Sequence, residues 1–137
     1  MTSSLPVQPN TESRVLVVDD YPDSTASTSM LLALLGYDCR TANSGREALE
    51  QAAEFAPNIV LLDIGLPDIS GYEVARQLRA RQGDRPLYLA AVTGWGQPEA
   101  RARAFEAGFD QHVLKPATAA TLKQILQRAA ALLASHS

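Results

Sequence analysis

Four apolar runs in this chain stop at residues that can do chemistry. Residues 14–18, RVLVV, end at Asp19 and Asp20; residues 58–62, NIVLL, end at Asp63; residues 87–92, LYLAAV, end at Thr93; and Gln111–Leu114 ends at Lys115 and Pro116. Singly, each has an ordinary explanation, since an aspartate after a strand is commonly a turn or helix-cap residue and a strand-end lysine a solvated charge. Together they supply three acids, one hydroxyl and one ammonium. Three crowded carboxylates repel one another and hold protons unless a cation neutralises them, so the set asks for a hard, oxygen-preferring divalent ion. Mg²⁺, or Mn²⁺ in its place, fits best, because Mg²⁺ is bound through few carboxylates and shares phosphoryl oxygens. Lys115 can then neutralise a phosphoryl oxygen, Thr93 can donate a hydroxyl hydrogen bond, and Asp63 can act as a carboxylate nucleophile. Phosphoryl transfer to an aspartate is the chemistry that uses all five.

The segments around these residues must bring them to one place. The short, continuous apolar runs read as strands buried on both faces, as in parallel sheets. Between them lie helical patterns. Residues 24–35 carry Met30, Leu31, Leu34 and Leu35 as an apolar stripe stopped by Gly36. Residues 44–55 open with Ser44 and Glu47 in a capping-box pattern, and residues 70–81 repeat it with Ser70 and Glu73 ahead of Val74, Ala75 and Leu78. Pro98–Ala107 is an alanine-rich helix opened by proline and closed by Gly108, and 118–134 places Leu122, Ile125, Leu126, Ala129 and Leu133 on one face. Asp38–Ala42 is a weak strand candidate. Five strand–helix pairs in series predict a doubly wound α/β fold, because each parallel crossover needs a helix. In such sheets the ligand site lies beyond the carboxyl ends of the strands, where all five residues fall.

The totals narrow the classes. At 137 residues, with 46% hydrophobic and 20% charged, the chain suits one globular domain. Twelve Lys and Arg against fifteen acids give a net charge of -3, so no direct nucleic-acid partner is expected. Cys39 is the one cysteine and cannot form an internal disulfide, and no basic-then-apolar start points to export, so the protein reads as cytoplasmic. No apolar run approaches the ~20 residues of a membrane span. Residues 1–13 read as a flexible leader, 14–134 as the domain, and 135–137 as a tail.

The segments VLVVDD, IVLLDIGLPDISGYEV, VTGWG and HVLKP resemble, as a set, the receiver domain of two-component response regulators, over roughly residues 14–134. The resemblance implies a flavodoxin-like (βα)5 fold with strand order 2-1-3-4-5, and it implies that Asp63 is the phosphoacceptor. It further implies that Asp20 and Asp63 ligate Mg²⁺ with the Gly65 carbonyl, that Asp19 acts through a metal-bound water, and that Thr93 and Lys115 hold the phosphoryl oxygens. Gly94 leaves access to them, and Lys115–Pro116 is a candidate cis bond. The implied donor is a phosphohistidine on a histidine kinase or phosphotransfer protein, and the implied output is a downstream protein bound at the fourth helix, fifth strand and fifth helix, a face that includes Arg101, Glu106 and His112. In the family an aromatic residue three before the lysine rotates inward after Thr93 moves. Here that position is His112, so the switch is either a smaller, pH-sensitive ring or absent. Gly65 offers no side chain to position an attacking water, and Trp95 is large enough to screen the site, so slow hydrolysis of the phosphoaspartate is expected. Either a stand-alone regulator or the receiver of a hybrid histidine kinase accommodates these features.

Three rivals remain. A haloacid-dehalogenase-like phosphatase needs Asp-x-Asp after its first strand, whereas this chain has Asp19-Asp20-Tyr21-Pro22. A flavodoxin-like cofactor binder would offer a Ser/Thr/Gly-rich phosphate loop there, and acids would repel the phosphate. A degenerate receiver serving only for docking would lack part of the set.

Overall fold

The protein is described by a computed structural model for residues 13–94 and 96–134. Five strands alternate with five helices: β1 (Arg14–Val18), α1 (Pro22–Leu34), β2 (Asp38–Ala42), α2 (Gly45–Phe55), β3 (Ile59–Leu62), α3 (Gly71–Gln82), β4 (Tyr88–Thr93), α4 (Pro98–Ala107), β5 (Gln111–Leu114) and α5 (Ala119–Ala134). The strands form one parallel sheet, as the alternation of elements predicts, in the order β2-β1-β3-β4-β5 that the resemblance implies.

The apolar runs are explained by burial on both sides. Successive side chains of a strand point to opposite faces. Leu16 and Val18 of β1, Val60 and Leu62 of β3, and Leu89 and Ala91 of β4 pack with Ala48, Tyr72, Val74, Leu78, Ala104 and Ala107 of α2, α3 and α4. Their neighbours Val15, Val17, Ile59, Leu61, Tyr88 and Ala90 pack on the other face with Leu32 of α1 and Leu122, Ile125, Leu126 and Ala129 of α5. Neither face meets solvent, so neither can be polar.

Helix α1 departs from the expected stripe. Thr25 and Leu32 are its buried residues, whereas Met30 is 67% exposed and Leu34 82% exposed. Residues 30–35, MLLALL, are apolar all round, so counting apolar positions leaves the phase of the helix open. The phase is set instead by Thr25, two turns before Leu32, whose hydroxyl donates to the Pro22 carbonyl at 2.9 Å and accepts from the Asn43 amide at 3.2 Å. A threonine with both bonds made can be buried at little cost. The helix also starts two residues early, because Pro22 supplies the preset φ of a first helical position.

In both capping patterns the serine half forms as read. The Ser44 hydroxyl accepts from the Glu47 N–H at 3.1 Å, and the Ser70 hydroxyl from the Glu73 N–H at 3.3 Å. The Glu47 carboxylate reaches back to the Asn43 N–H at 2.7 Å. No helix among the described residues is long and apolar enough to cross a membrane.

Candidate functional site

The register of the sheet places the site residues before any side chain is considered. Val18 pairs with Leu62, so Asp19 and Asp63 leave neighbouring strands at the same height. Two backbone bonds fix that exit: the Asp63 N–H donates to the Val18 carbonyl at 2.9 Å, and the Asp19 N–H to the Ala42 carbonyl at 3.1 Å. On the far side Leu62 pairs with Ala91, which puts Thr93 one residue beyond the level of Asp63, and Thr93 pairs with Leu114. The Lys115 N–H donates to the Thr93 carbonyl at 2.8 Å, so the lysine starts from the same rim.

Side chains converge there. The carboxylates of Asp19, Asp20 and Asp63 each bring an oxygen within 4.8 Å of the others. Asp19 and Asp63 are buried, at 5% and 7% exposure, and Asp20 is exposed. The Lys115 ammonium donates to Asp19 Oδ2 at 2.6 Å and to Asp63 Oδ2 at 3.1 Å. The other oxygens are held by the loops: Asp19 Oδ1 accepts from the Tyr21 N–H at 3.0 Å, and Asp63 Oδ1 from the Gly65 N–H at 3.1 Å. Each carboxylate is therefore oriented by its own turn and joined to the other by one cation.

This corrects the expectation that only a bound ion relieves the crowding. Lys115 already neutralises part of it, because a flexible stem lets its ammonium reach both oxygens. Burial by itself would pull this ammonium down, yet its hydrogen bonds to Asp19 and Asp63 and the charges of both carboxylates outweigh burial, and its pKa stands above the usual lysine range. The lysine stays charged at neutral pH.

The remaining expected positions fall as follows. Thr93 is buried at the end of β4, and Gly94 is exposed beside it. His112 lies half-buried in β5, paired with Ala91 and so one level below Asp63. Lys115–Pro116 is a cis peptide bond. Arg101 and Glu106 are exposed on α4, and Trp95 lies outside the described residues.

Three contributors escape the sequence reading. Ser24 Oγ donates to Asp19 Oδ2 at 3.1 Å, and the Asn43 amide donates to the Asp19 carbonyl at 2.9 Å. Asp68 accepts the first two N–H groups of α2. Ser24 lies five residues from Asp19 but was legible only as the start of a helix; the partners of Asn43 and Asp68 lie on segments that the fold, and not the sequence spacing, brings near.

Comparison with known proteins now decides the family. The family model described as the response regulator receiver domain matches residues 15–127. The chain belongs to the response-regulator receiver family. It is 38% identical over 117 residues to the sensor histidine kinase RcsC of Salmonella typhimurium, a match over 85% of this chain and 12% of that protein. It is also 38% identical over 128 residues to the transcriptional regulatory protein PrrA of Mycobacterium leprae, covering 90% of this chain and 54% of the relative. The receiver thus spans only part of these curated relatives. Among solved structures, the chemotaxis response regulator CheY4 of Vibrio cholerae superposes with a TM-score of 0.79 at 28% identity, covering 85% of this chain and 98% of that one. This receiver is a domain of two-component signalling, a class of phosphoacceptors distinct from ordinary enzymes.

Proposed function

We propose that the receiver accepts a phosphoryl group on Asp63 from a phosphohistidine donor, a histidine kinase or a histidine phosphotransfer protein. The observation that carries this reading is the Lys115 ammonium shared between Asp19 Oδ2 and Asp63 Oδ2, at 2.6 and 3.1 Å, on the rim where all three acids meet. A lysine so placed can follow a phosphoryl oxygen arriving at Asp63 without leaving its charge uncompensated. In the transfer, an Asp63 oxygen forms the new bond to phosphorus while the donor's N–P bond breaks, and the imidazole keeps the electron pair and gains a proton. Phosphorylation adds roughly one to two negative charges where a carboxylate stood, and Lys115 and the Thr93 hydroxyl are the groups at that rim able to meet the new oxygens.

The donor set suits a divalent cation: all three ligands are hard carboxylate oxygens, one of them open to solvent. Asp20 and Asp63 would hold Mg²⁺ or Mn²⁺ with the Gly65 carbonyl, and Asp19 through water. When bound, such an ion neutralises the charge spread over the transferring phosphoryl oxygens. Asp19 and Asp63 keep their orientation through the Tyr21 and Gly65 N–H groups.

The functional unit is taken as residues 14–134. Its output is a protein partner bound on the face formed by α4, β5 and α5, with Thr93 as the switch, His112 as its second element and Pro116 shaping the Lys115 loop. Gly65 leaves the phosphoaspartate without a side chain to activate water, so loss of the phosphoryl group is slow. Acetyl phosphate with Mg²⁺ tests the reading. Wild type should take up one phosphoryl group and Asp63→Asn none; equal uptake by both would remove Asp63 from the role.

A further inference from the structure

The loop between β3 and α3 carries Asp63 and Gly65, and it is exposed at Gly65, Pro67 and Asp68. Such a loop would drift unless something fixed its middle. Asp68 does this with both oxygens: Oδ1 accepts from the Gly45 N–H at 2.8 Å and Oδ2 from the Arg46 N–H at 2.9 Å. These are the first two N–H groups of α2, which have no partner inside their own helix, so the charge also faces the positive end of the helix dipole. The approach is close. A methyl group at Gly45 would come within 2.9 Å of Ile69 Cβ and 3.0 Å of the Ile69 carbonyl, and one at Gly71 within 2.5 Å of the Asp63 carbonyl oxygen.

The same end of α2 is tied to the other acidic loop. Asn43 is held by Glu47 of that helix at 2.7 Å, and its amide donates to the Asp19 carbonyl at 2.9 Å and to Thr25 Oγ1 at 3.2 Å. The loop of Asp63 and the loop of Asp19 and Asp20 therefore rest on one common abutment. We infer that Asp68 is a positioning residue for phosphorylation: by clamping the loop of Asp63 to the start of α2, it holds the phosphoacceptor in register with Asp19, Asp20 and Lys115. The inference rests on the phosphoacceptor reading of Asp63. Asp68 itself touches no reacting atom. Small displacements of reacting groups have large kinetic consequences, so the cost should appear in reactivity more than in folding.

The test measures half-saturation by beryllofluoride in Mg²⁺, and the rate of phosphorylation by acetyl phosphate, for wild type, Asp68→Ala, Asp68→Asn, Ser44→Ala and Asp63→Asn, each with a thermal melt. Ser44→Ala removes another cap bond from the same helix end, the one to Glu47, without touching the loop. It should melt earlier but keep wild-type half-saturation. Asp68→Ala should need roughly tenfold more beryllofluoride and phosphorylate about tenfold more slowly. Asp68→Asn keeps one acceptor oxygen and should fall between, which secures the test if the alanine variant does not fold. Half-saturation unchanged in both Asp68 variants, or raised equally in Ser44→Ala, would overturn the inference and make Asp68 a plain helix cap. If wild type itself shows no response, or Asp63→Asn responds like wild type, the phosphoacceptor reading fails and this inference falls with it.

Discussion

Replacing Lys115 with methionine separates what the lysine does from what a metal does. The change keeps most of the stem and removes the ammonium, leaving Asp19 and Asp63 facing each other at 7% and 10% side-chain exposure. Exposed ion pairs contribute about 0–1 kcal/mol, whereas stranding one partner of a buried pair costs about 3–5 kcal/mol. The Lys115 side chain is 32% exposed, between those limits, so the loss should be about 2 kcal/mol in a chelator. For a domain of this size that lowers Tm by roughly 8 °C. Mg²⁺ should narrow this difference. Wild type must accept the ion beside an ammonium that repels it, while the variant offers two bare carboxylates, so the variant should bind Mg²⁺ roughly tenfold more tightly. At a hundred times its Kd, the ion contributes about 2.7 kcal/mol and should bring the variant close to wild type. Melts in EDTA and across a Mg²⁺ titration measure both quantities. An unchanged Tm in EDTA, or equal Mg²⁺ affinity in the two proteins, would show that the ammonium and the ion do not share these carboxylates.

Leu32→Ala should cost about 2–5 kcal/mol by urea denaturation, while Met30→Ala and Leu34→Ala should stay within about 0.5 kcal/mol of wild type; the reverse ranking would restore the expected stripe of α1. The Arg46 and Gly45 N–H groups hold the Asp68 carboxyl down at about 2, against about 3.9 in an unfolded chain. A depressed carboxyl stabilises the fold above its unfolded value and loses that contribution as pH falls through the folded one. The stability gap between wild type and Asp68→Asn should thus be full above about pH 4 and close toward about pH 2, read from urea midpoints; a gap independent of pH would contradict it. Gly65→Asn should shorten the phosphoaspartate lifetime in Mg²⁺, since an amide there can orient water, and an unchanged decay would refute the assignment.

Much of the fold and part of the site could be read from the chain alone, for a physical reason. Strands buried on both faces must be apolar throughout, so their ends are marked by the first polar residue, and in a parallel sheet those ends share one edge. Asp19, Asp63, Thr93 and Lys115 are conspicuous because they interrupt such runs. The phase of α1 was hidden because MLLALL is apolar on every side and a threonine, with its hydroxyl satisfied, took the inner place. Asn43 and Asp68 were hidden because their bonds join residues 24 and 23 positions apart, and nothing local marks a polar residue whose partner is brought by the fold. The bridging of Lys115 between two acids was likewise a matter of reach, not of spacing.

Asp63 has two acidic near neighbours, and Lys115 lies closer to Asp19, at 2.6 Å, than to Asp63, at 3.1 Å. After reaction with acetyl phosphate in Mg²⁺, borohydride reduction converts a phosphoaspartate to homoserine, and peptide mapping then locates it. The account predicts homoserine at position 63 alone; homoserine at 19 or 20, or none at 63, would contradict it.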